Sequence, residues 1–428
     1  MTVLRTAPAS LGQRLLWFLG HYRDTGSNLN VPVFYRLRGE LDADRLEAAA
    51  TALVVRHEAL RTTYGGGGRK LVQQVHAPEP VRLVRHRVHG PEHLDAALLE
   101  EAGKPFDLTV SPLRMVLFEL APRDHVLMIN IHHLSTDGWS GGVLSEELGA
   151  LYRQDAEQVP RKSWQPVDFS EWQRARFDGG ELASHQKFWR EQLAGACPPA
   201  WLEKIANPDP GETPTPKLLS FEFEDDVATA LNALCRAQRT TIFTAGLALF
   251  ASVLQARGGD NDFAIASMFA NRSRPELLGT VGFLANMLVM RMRLPDAPTF
   301  TQVLDAGRDV VFEALDHQEV PYHLVPQSLG ERSAGLENVM FQVTTGPSYG
   351  LRLGEVEVAQ VTAPSGIGSR FHLEFALMPD GGRLGGLVWF DESRFSEDSI
   401  RQLVDDYLRL AQGVGADPDR PVAEHLAV

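Results

Sequence analysis

A compact apolar run, Val126 to Ile131, gives way to a polar loop, His132 to Ser140, and then to Leu144, Leu148, Leu151 and Tyr152 at helical intervals. The run suits a buried strand and the intervals suit a helix, so the loop joins a strand to a helix. A similar pattern lies upstream. Val33, Tyr35 and Leu37 alternate with Phe34, Arg36 and Arg38 as in a strand, and after Gly39 the residues Leu46, Ala50, Leu53, Val54 and Leu60 recur as on a helix. Phe221 to Phe223 ahead of Asp225 and Asp226 reads as a strand entering a helix, and Phe263 to Ala266 reads the same way. The chain's 428 residues exceed what one hydrophobic core usually holds, which predicts two lobes of comparable size sharing an interface.

Loop signals divide the chain further. The glycines Gly65 to Gly68 sit between the β-like runs Arg61 to Tyr64 and Leu71 to Val75 and read as a hairpin tip; a phosphate loop would need Gly-Lys-Ser/Thr before a helix, and here Arg69-Lys70-Leu71 precedes a strand pattern. Pro160, the stretch Arg161 to Gln165 and the pair Gly179-Gly180 mark the passage between lobes, and Asn207 to Lys217, rich in proline, reads as an exposed connection. The most apolar stretch, Ile242 to Leu254, is too short to span a bilayer and reads as a buried helix. A formal charge of -14 argues against nucleic acid or anionic lipid as the main partner. Cys197 and Cys235 form neither a metal-type cluster nor a disulfide framework, and Met1 to Ser10 lack a signal pattern, which together predict a reducing cytoplasm.

The loop itself reads His132-His133-Leu134-Ser135-Thr136-Asp137-Gly138-Trp139-Ser140. An imidazole titrates near neutrality and can take a proton from an amine or hydroxyl as it attacks a carbonyl. A carboxylate four residues on can fix the loop by pairing with a cation, and Gly138 permits a positive φ or a close backbone approach. Three other readings compete. The histidines can be ordinary strand-end residues with Asp137 as a helix cap. A metal site would need His132, His133 and Asp137 on one side, whereas successive strand residues face opposite ways. A serine hydrolase would need a Gly-x-Ser-x-Gly elbow, which is lacking around a plausible nucleophile.

His132-His133-x-x-x-Asp137-Gly138 resembles the hallmark of the condensation domains of nonribosomal peptide synthetases. Its company strengthens the likeness. Ser10 to Trp17 resembles the family's opening motif, Arg56-His57-Glu58-Ala59-Leu60-Arg61-Thr62 its second, and Pro166 to Phe169 with Trp172-Gln173 the motif near the lobe boundary. Ala270-Asn271-Arg272, Val281-Gly282-Phe283 and Asn286 resemble the second-lobe region, and His317 to Tyr322 the sixth motif. Departures are Gly12 where alanine is common, Met287 where threonine usually stands, and Leu336 to Phe341, which lacks the usual arginine and proline.

The resemblance implies an α/β fold of two chloramphenicol-acetyltransferase-like lobes in a V arrangement with a central tunnel: residues 1–175 carrying the histidine loop, and residues 176–428. It implies His133 as the catalytic residue, acting as base or as a positioner of the nucleophile. His132 turns into the packing, Asp137 pairs with Arg272 in a structural ion pair, and Gly138 belongs to the same motif. Trp139, Ser140, Asn286 and Met287 would line the substrate channel; Trp17 and Trp172 read as core anchors and His317 as structural. No cofactor or metal is bound in this reading, since phosphopantetheine arrives on donor and acceptor carrier proteins acting in trans on a monomer. Leu384-Gly385-Gly386 lacks the following serine of a carrier, and the opening motif begins close to Met1, so recognition falls on lobe surfaces. Arg14, Arg23, Arg36, Arg38, Arg82, Arg85 and Arg87 form either a basic docking site for an acidic carrier helix or a scattered solvated set. Asp137 to Ser140 with Leu144 and Glu147-Leu148 resemble the subtype accepting an L-configured donor. An epimerisation domain, a small-molecule acyltransferase and a non-catalytic recruitment domain are the alternatives.

Overall fold

The strand expected at Val126 to Ile131 is Asp124–His132, and it runs through the centre of a five-stranded sheet ordered Glu357–Val361, Asn30–Arg38, Asp124–His132, Leu113–Ala121, Val84–Arg87. Central position explains the composition: Val126, Leu127 and Met128 are fully buried, as expected of a strand covered on both faces. Asn30–Arg38 and Leu113–Ala121 flank it antiparallel, with Asn30 opposite His132 and Leu113 opposite Ile131, so the sheet delivers the histidines at one strand end. The helices Ala43–Arg56 and Gly138–Tyr152 supply the apolar faces read from the sequence; Leu60 lies beyond the first of them, in the short turn Glu58–Arg61. Thr62–Gly65 and Val72–His76 pair as the expected hairpin, joined by Val3–Pro8 in a three-stranded sheet.

This computed structural model describes residues 2–22, 29–67, 70–155, 164–209, 215–325, 335–344, 350–361, 371–380 and 382–427. Arg23, Gly68, Arg69, Pro160, residues 161–163 and residues 210–214 of the readings above lie outside the described residues. The chain forms two units. The first comprises Met1–Glu181, Ala270–Ala285 and Gly346–Pro364, the second Leu182–Phe269, Asn286–Thr345 and Ser365–Val428. A contiguous division after residue 175 thus differs from the observed one in two ways. Residue 175 falls inside the helix Pro166–Asp178, and the first unit takes two later segments, one of which contributes the edge strand Glu357–Val361. The Gly179-Gly180 signal stands immediately before the handover at Glu181.

The second unit holds a six-stranded sheet ordered Asn286–Arg293, Asp262–Phe269, Val339–Val343, Leu373–Asp380, Arg383–Asp391, Pro216–Glu222. Its helix Ile242–Gly258 is buried along most of its length, as the apolar stretch predicts, and its Phe250 stacks on Phe341, which in turn meets Phe375 and through it Tyr407. Pro216–Glu222 leads into the helix Asp225–Ala237 as read. Asp262–Phe269 does not lead into a helix; it is followed by the short turn Pro275–Leu277 and then pairs antiparallel with Asn286–Arg293. Leu384-Gly385-Gly386 lies within the strand Arg383–Asp391. Among the described residues no single helix is long and apolar enough to cross a membrane.

Arg56-His57 owes its place to one carboxylate. Glu147, buried on the helix Gly138–Tyr152, accepts from Arg56 Nε at 2.6 Å and lies 2.8 Å from His57 Nε2, tying that helix to Ala43–Arg56. Glu58 and Arg61 face each other at 3.9 Å, but as largely buried groups rather than on the surface. Removing one member of a buried cluster strands the rest, so Glu147→Ala is expected to cost about 3 kcal/mol in chemical denaturation, while Glu147→Gln, which keeps shape and an acceptor, costs clearly less.

Candidate active site

His132 ends the central strand and His133 begins a tight turn, His133–Ser135, that reverses the chain into the helix Gly138–Tyr152. The strand's last register decides which ring does what. His132 is buried; its Nδ1 accepts from the Leu134 N–H at 3.2 Å, and Phe106 meets its ring edge-on. This is the inward orientation the sequence implies. His133 is half-buried, and its main-chain N–H donates to Leu29 at 2.8 Å.

One hydrogen bond fixes the chemistry of His133. Nδ1 lies 2.8 Å from the Thr136 carbonyl oxygen, which can only accept, so Nδ1 carries the proton. In the neutral ring the lone pair is therefore at Nε2. The turn is also held from behind. Leu134 O accepts from Tyr64 Oη at 2.8 Å and from Gln13 Nε2 at 3.1 Å. Gln13 is fixed in turn by Ser10, whose N–H donates to Gln13 Oε1 while the Ser10 hydroxyl accepts from the Gln13 N–H. That reciprocal pairing is a capping box, and it explains the serine and glutamine of the opening motif. Sequence reading missed Gln13 and Tyr64 as loop holders. The Ser-x-x-Gln spacing was a legible signal for the cap but not for its second partner.

Asp137 caps the helix and forms the expected pair with Arg272. Its Oδ1 accepts from the Ser140 N–H at 2.9 Å and from Arg272 Nη2 at 3.0 Å; its Oδ2 accepts from Arg272 Nη1 at 2.5 Å and from the N–H groups of Leu284 and Ala285 at 3.0 and 3.1 Å. Arg272 also donates to the carbonyls of Ala270 and Thr280. Asn271 stands in the left-handed region at φ 53 with its amide on Leu284 O, which turns the chain so that Arg272 reaches inward. Burial by itself would raise the Asp137 pKa; the Arg272 guanidinium and the Ser140 hydrogen bonds outweigh it and hold the carboxyl below its ordinary value. With both oxygens occupied, the carboxylate has no role as a proton carrier.

Two of the expected channel residues do otherwise. Ser140 is fully buried, its hydroxyl 2.7 Å from Asp137 Oδ1 and accepting from the Gly282 N–H and Arg272 Nη2, so it completes the ion pair and does not line a channel. Asn286, buried at the start of its strand, donates from Nδ2 to the carbonyls of Gln318 and Val320 and accepts from the Tyr322 N–H. Both its donors are therefore occupied by main chain, and it clamps the segment after the helix Phe300–Asp316. His317 lies 2.8 Å from His185 through Nδ1 of both rings and is stacked on Phe188. Trp139 is half-buried, donates to Leu278 O at 2.7 Å and packs on the first unit's core. Met287, half-buried, stands opposite Met268 in the second unit. Gly138 is exposed, has no positive φ, and a Cβ there would meet nothing within 4 Å. Among the described residues neither backbone strain nor packing calls for glycine here.

Of the arginines read as a docking patch, Arg36 is bound to Asp124, and Arg38, Arg82 and Arg85 stand 3.7, 3.5 and 3.4 Å from Glu357, Glu47 and Asp44. Each of these four arginines thus has a carboxylate nearby.

Residues 3–428 match the family described as Condensation domain. The chain is 35% identical over 406 residues to cyclosporin synthetase simA of Tolypocladium inflatum, covering 92% of this chain and 3% of that protein. It is 32% identical over 431 residues to the beauvericin nonribosomal cyclodepsipeptide synthetase of Beauveria bassiana, covering 94% and 13%. The chain thus spans a small fraction of these relatives' length. The crystal structure of the X-domain from teicoplanin biosynthesis superposes with a TM-score of 0.84 at 25% identity, over 99% of this chain and 98% of that one.

Asp137→Ala and Arg272→Ala each strand a buried charge and are expected to cost about 3–5 kcal/mol, with the double variant losing clearly less than the sum. Additive losses in thermal or chemical denaturation would contradict the pairing. Because the folded pKa of Asp137 lies below its unfolded value, this contribution is complete at neutral pH and declines only as pH falls below about 4 and through the folded pKa.

Proposed function

The chain belongs to the condensation-domain family, and from that membership we propose that it joins an acyl or aminoacyl thioester on one carrier protein to an amine, or a hydroxyl, held on a second. The reaction belongs to nonribosomal peptide or hybrid natural-product biosynthesis. Both phosphopantetheine arms come with the carriers, which act in trans on a monomer in the cytoplasm, and the chain itself brings no cofactor.

The observation that carries this reading is the Nδ1 to Thr136 hydrogen bond of His133, which leaves Nε2 as the basic nitrogen of a half-buried ring. The acceptor nitrogen attacks the thioester carbonyl carbon, a C–N bond forms and the C–S bond breaks. Nε2 takes the proton from the attacking amine and returns it to the departing pantetheine sulfur, so the ring ends as it began. Holding both thioester arms at one imidazole removes much of the entropic barrier, and this proximity effect can exceed the proton-transfer contribution. The Asp137 to Ser140 segment favours the L-donor subtype.

His133→Ala is expected to keep its melting temperature and lose about 100-fold or more in condensation with loaded carriers. Near-normal turnover by the folded variant would remove the proton-transfer role. Product should form from a donor on holo-carrier far better than from the same acyl group on coenzyme A; equal efficiency would identify a small-molecule acyltransferase. Exchange of the donor α-hydrogen without coupling would identify an epimerase. A folded protein that does neither would be a recruitment domain.

A further inference from the structure

We propose that Phe283 is the positioning residue for the His133 imidazole, and that the absence of a side chain at Gly12 is what allows Phe283 to stand there; this rests on His133 as the reacting group. The hydrogen bond to Thr136 sets where Nδ1 points, but hydrogen-bond angles are broad, so one such bond resists tilting of the ring plane poorly. Phe283 resists it. Its ring meets that of His133 with centroids 5.2 Å apart and planes at 89°, the edge-to-face arrangement that aromatic pairs favour.

Phe283 is itself held. It is buried in a cluster with Ala9, Leu16, Leu29, Tyr64, Leu71 and Leu134, the last of these lying next to His133 in the turn. On the side of the first helix, Leu11–Tyr22, a Cβ at Gly12 would come within 2.9 Å of Phe283 Cε1 and 3.3 Å of Cδ1. Carbon atoms do not approach that closely without movement, and a packed cluster passes movement on. Since Phe283 touches His133, the imidazole receives it.

Glycine departs here from the alanine common in the family, and the backbone does not require it. Gly12 has no positive φ, and in a first helical turn alanine would serve the helix better. Gly12 weakens its helix, and what the structure obtains is room for the Phe283 ring. Helix stability and ring placement therefore pull residue 12 in opposite directions, which makes the two separable by experiment.

The test uses full-length protein labelled at histidine Cε1, with the His133 resonance assigned by its loss in His133→Ala. Gly12→Ala is expected to keep or raise the melting temperature, shift the His133 resonance and its titration, and lower kcat on the order of tenfold with KM changed by less than about twofold. Phe283→Leu is expected to move the same resonance. Gly12→Ala added to Phe283→Leu should bring no further shift or loss, because the methyl then enters space the smaller side chain leaves. An unchanged His133 resonance and titration in both single variants overturns the proposal, as does a Gly12→Ala effect of equal size with and without Phe283. Should Phe283→Leu fail to fold, Gly12→Ala decides alone. The resonance reports ring placement whether or not condensation is the reaction, so failure of the positioning role and failure of the proposed function give different results.

Discussion

The Asp137–Arg272 pair is the interaction on which the rest of the first unit's site depends. Two charges removed from water are costly unless their lone pairs and protons find partners, and of the three Arg272 nitrogens only the buried Nε is left without one. Here the carboxylate accepts from Arg272 twice, from Ser140, and from two main-chain N–H groups of the segment Ala270–Ala285. The same atoms cap the helix Gly138–Tyr152 and fasten a segment drawn from the second half of the chain. Helix start, loop end and inserted segment thus share one electrostatic knot, and none can shift without exposing a buried charge.

Around that knot the polar groups divide into two kinds. Ser140, Gln13, Tyr64 and Asp137 have their donors and acceptors occupied by protein, and they make the turn rigid. His133 is held through Nδ1 on the Thr136 carbonyl oxygen, and that bond determines its tautomer. A rigid surround with one directed imidazole suits a reaction whose main barrier is bringing two tethered reactants together in the right orientation.

The strand, the turn and the helix around His133 were legible because they are local: periodicity changes within a few residues and the motif lies at the change. Asp137–Arg272 was legible only through family resemblance, since no local pattern couples residues so far apart. The allotment of Ala270–Ala285 and Gly346–Pro364 to the first unit was not legible. Glu357–Val361 carries too weak an alternation to reveal that its partner is Asn30–Arg38, and pairing across such a span is decided by the sheet edge it completes. Gln13 and Tyr64 escaped for a similar reason, as their shared acceptor is a main-chain carbonyl, which has no signature in sequence.

Ser140 and Asn286 show why polar residues within the family's motifs are ambiguous. Each has the chemistry to bind a substrate, yet each is buried, and a buried amide or hydroxyl is costly unless bonded within the protein. The structure meets that demand with main chain at Asn286 and with the ion pair at Ser140. Trp139 follows them, its indole N–H already on Leu278 O. These three side chains therefore have little left with which to read a ligand's polar groups. On the proposed reading, discrimination at this turn then rests on contour and on where His133 Nε2 stands.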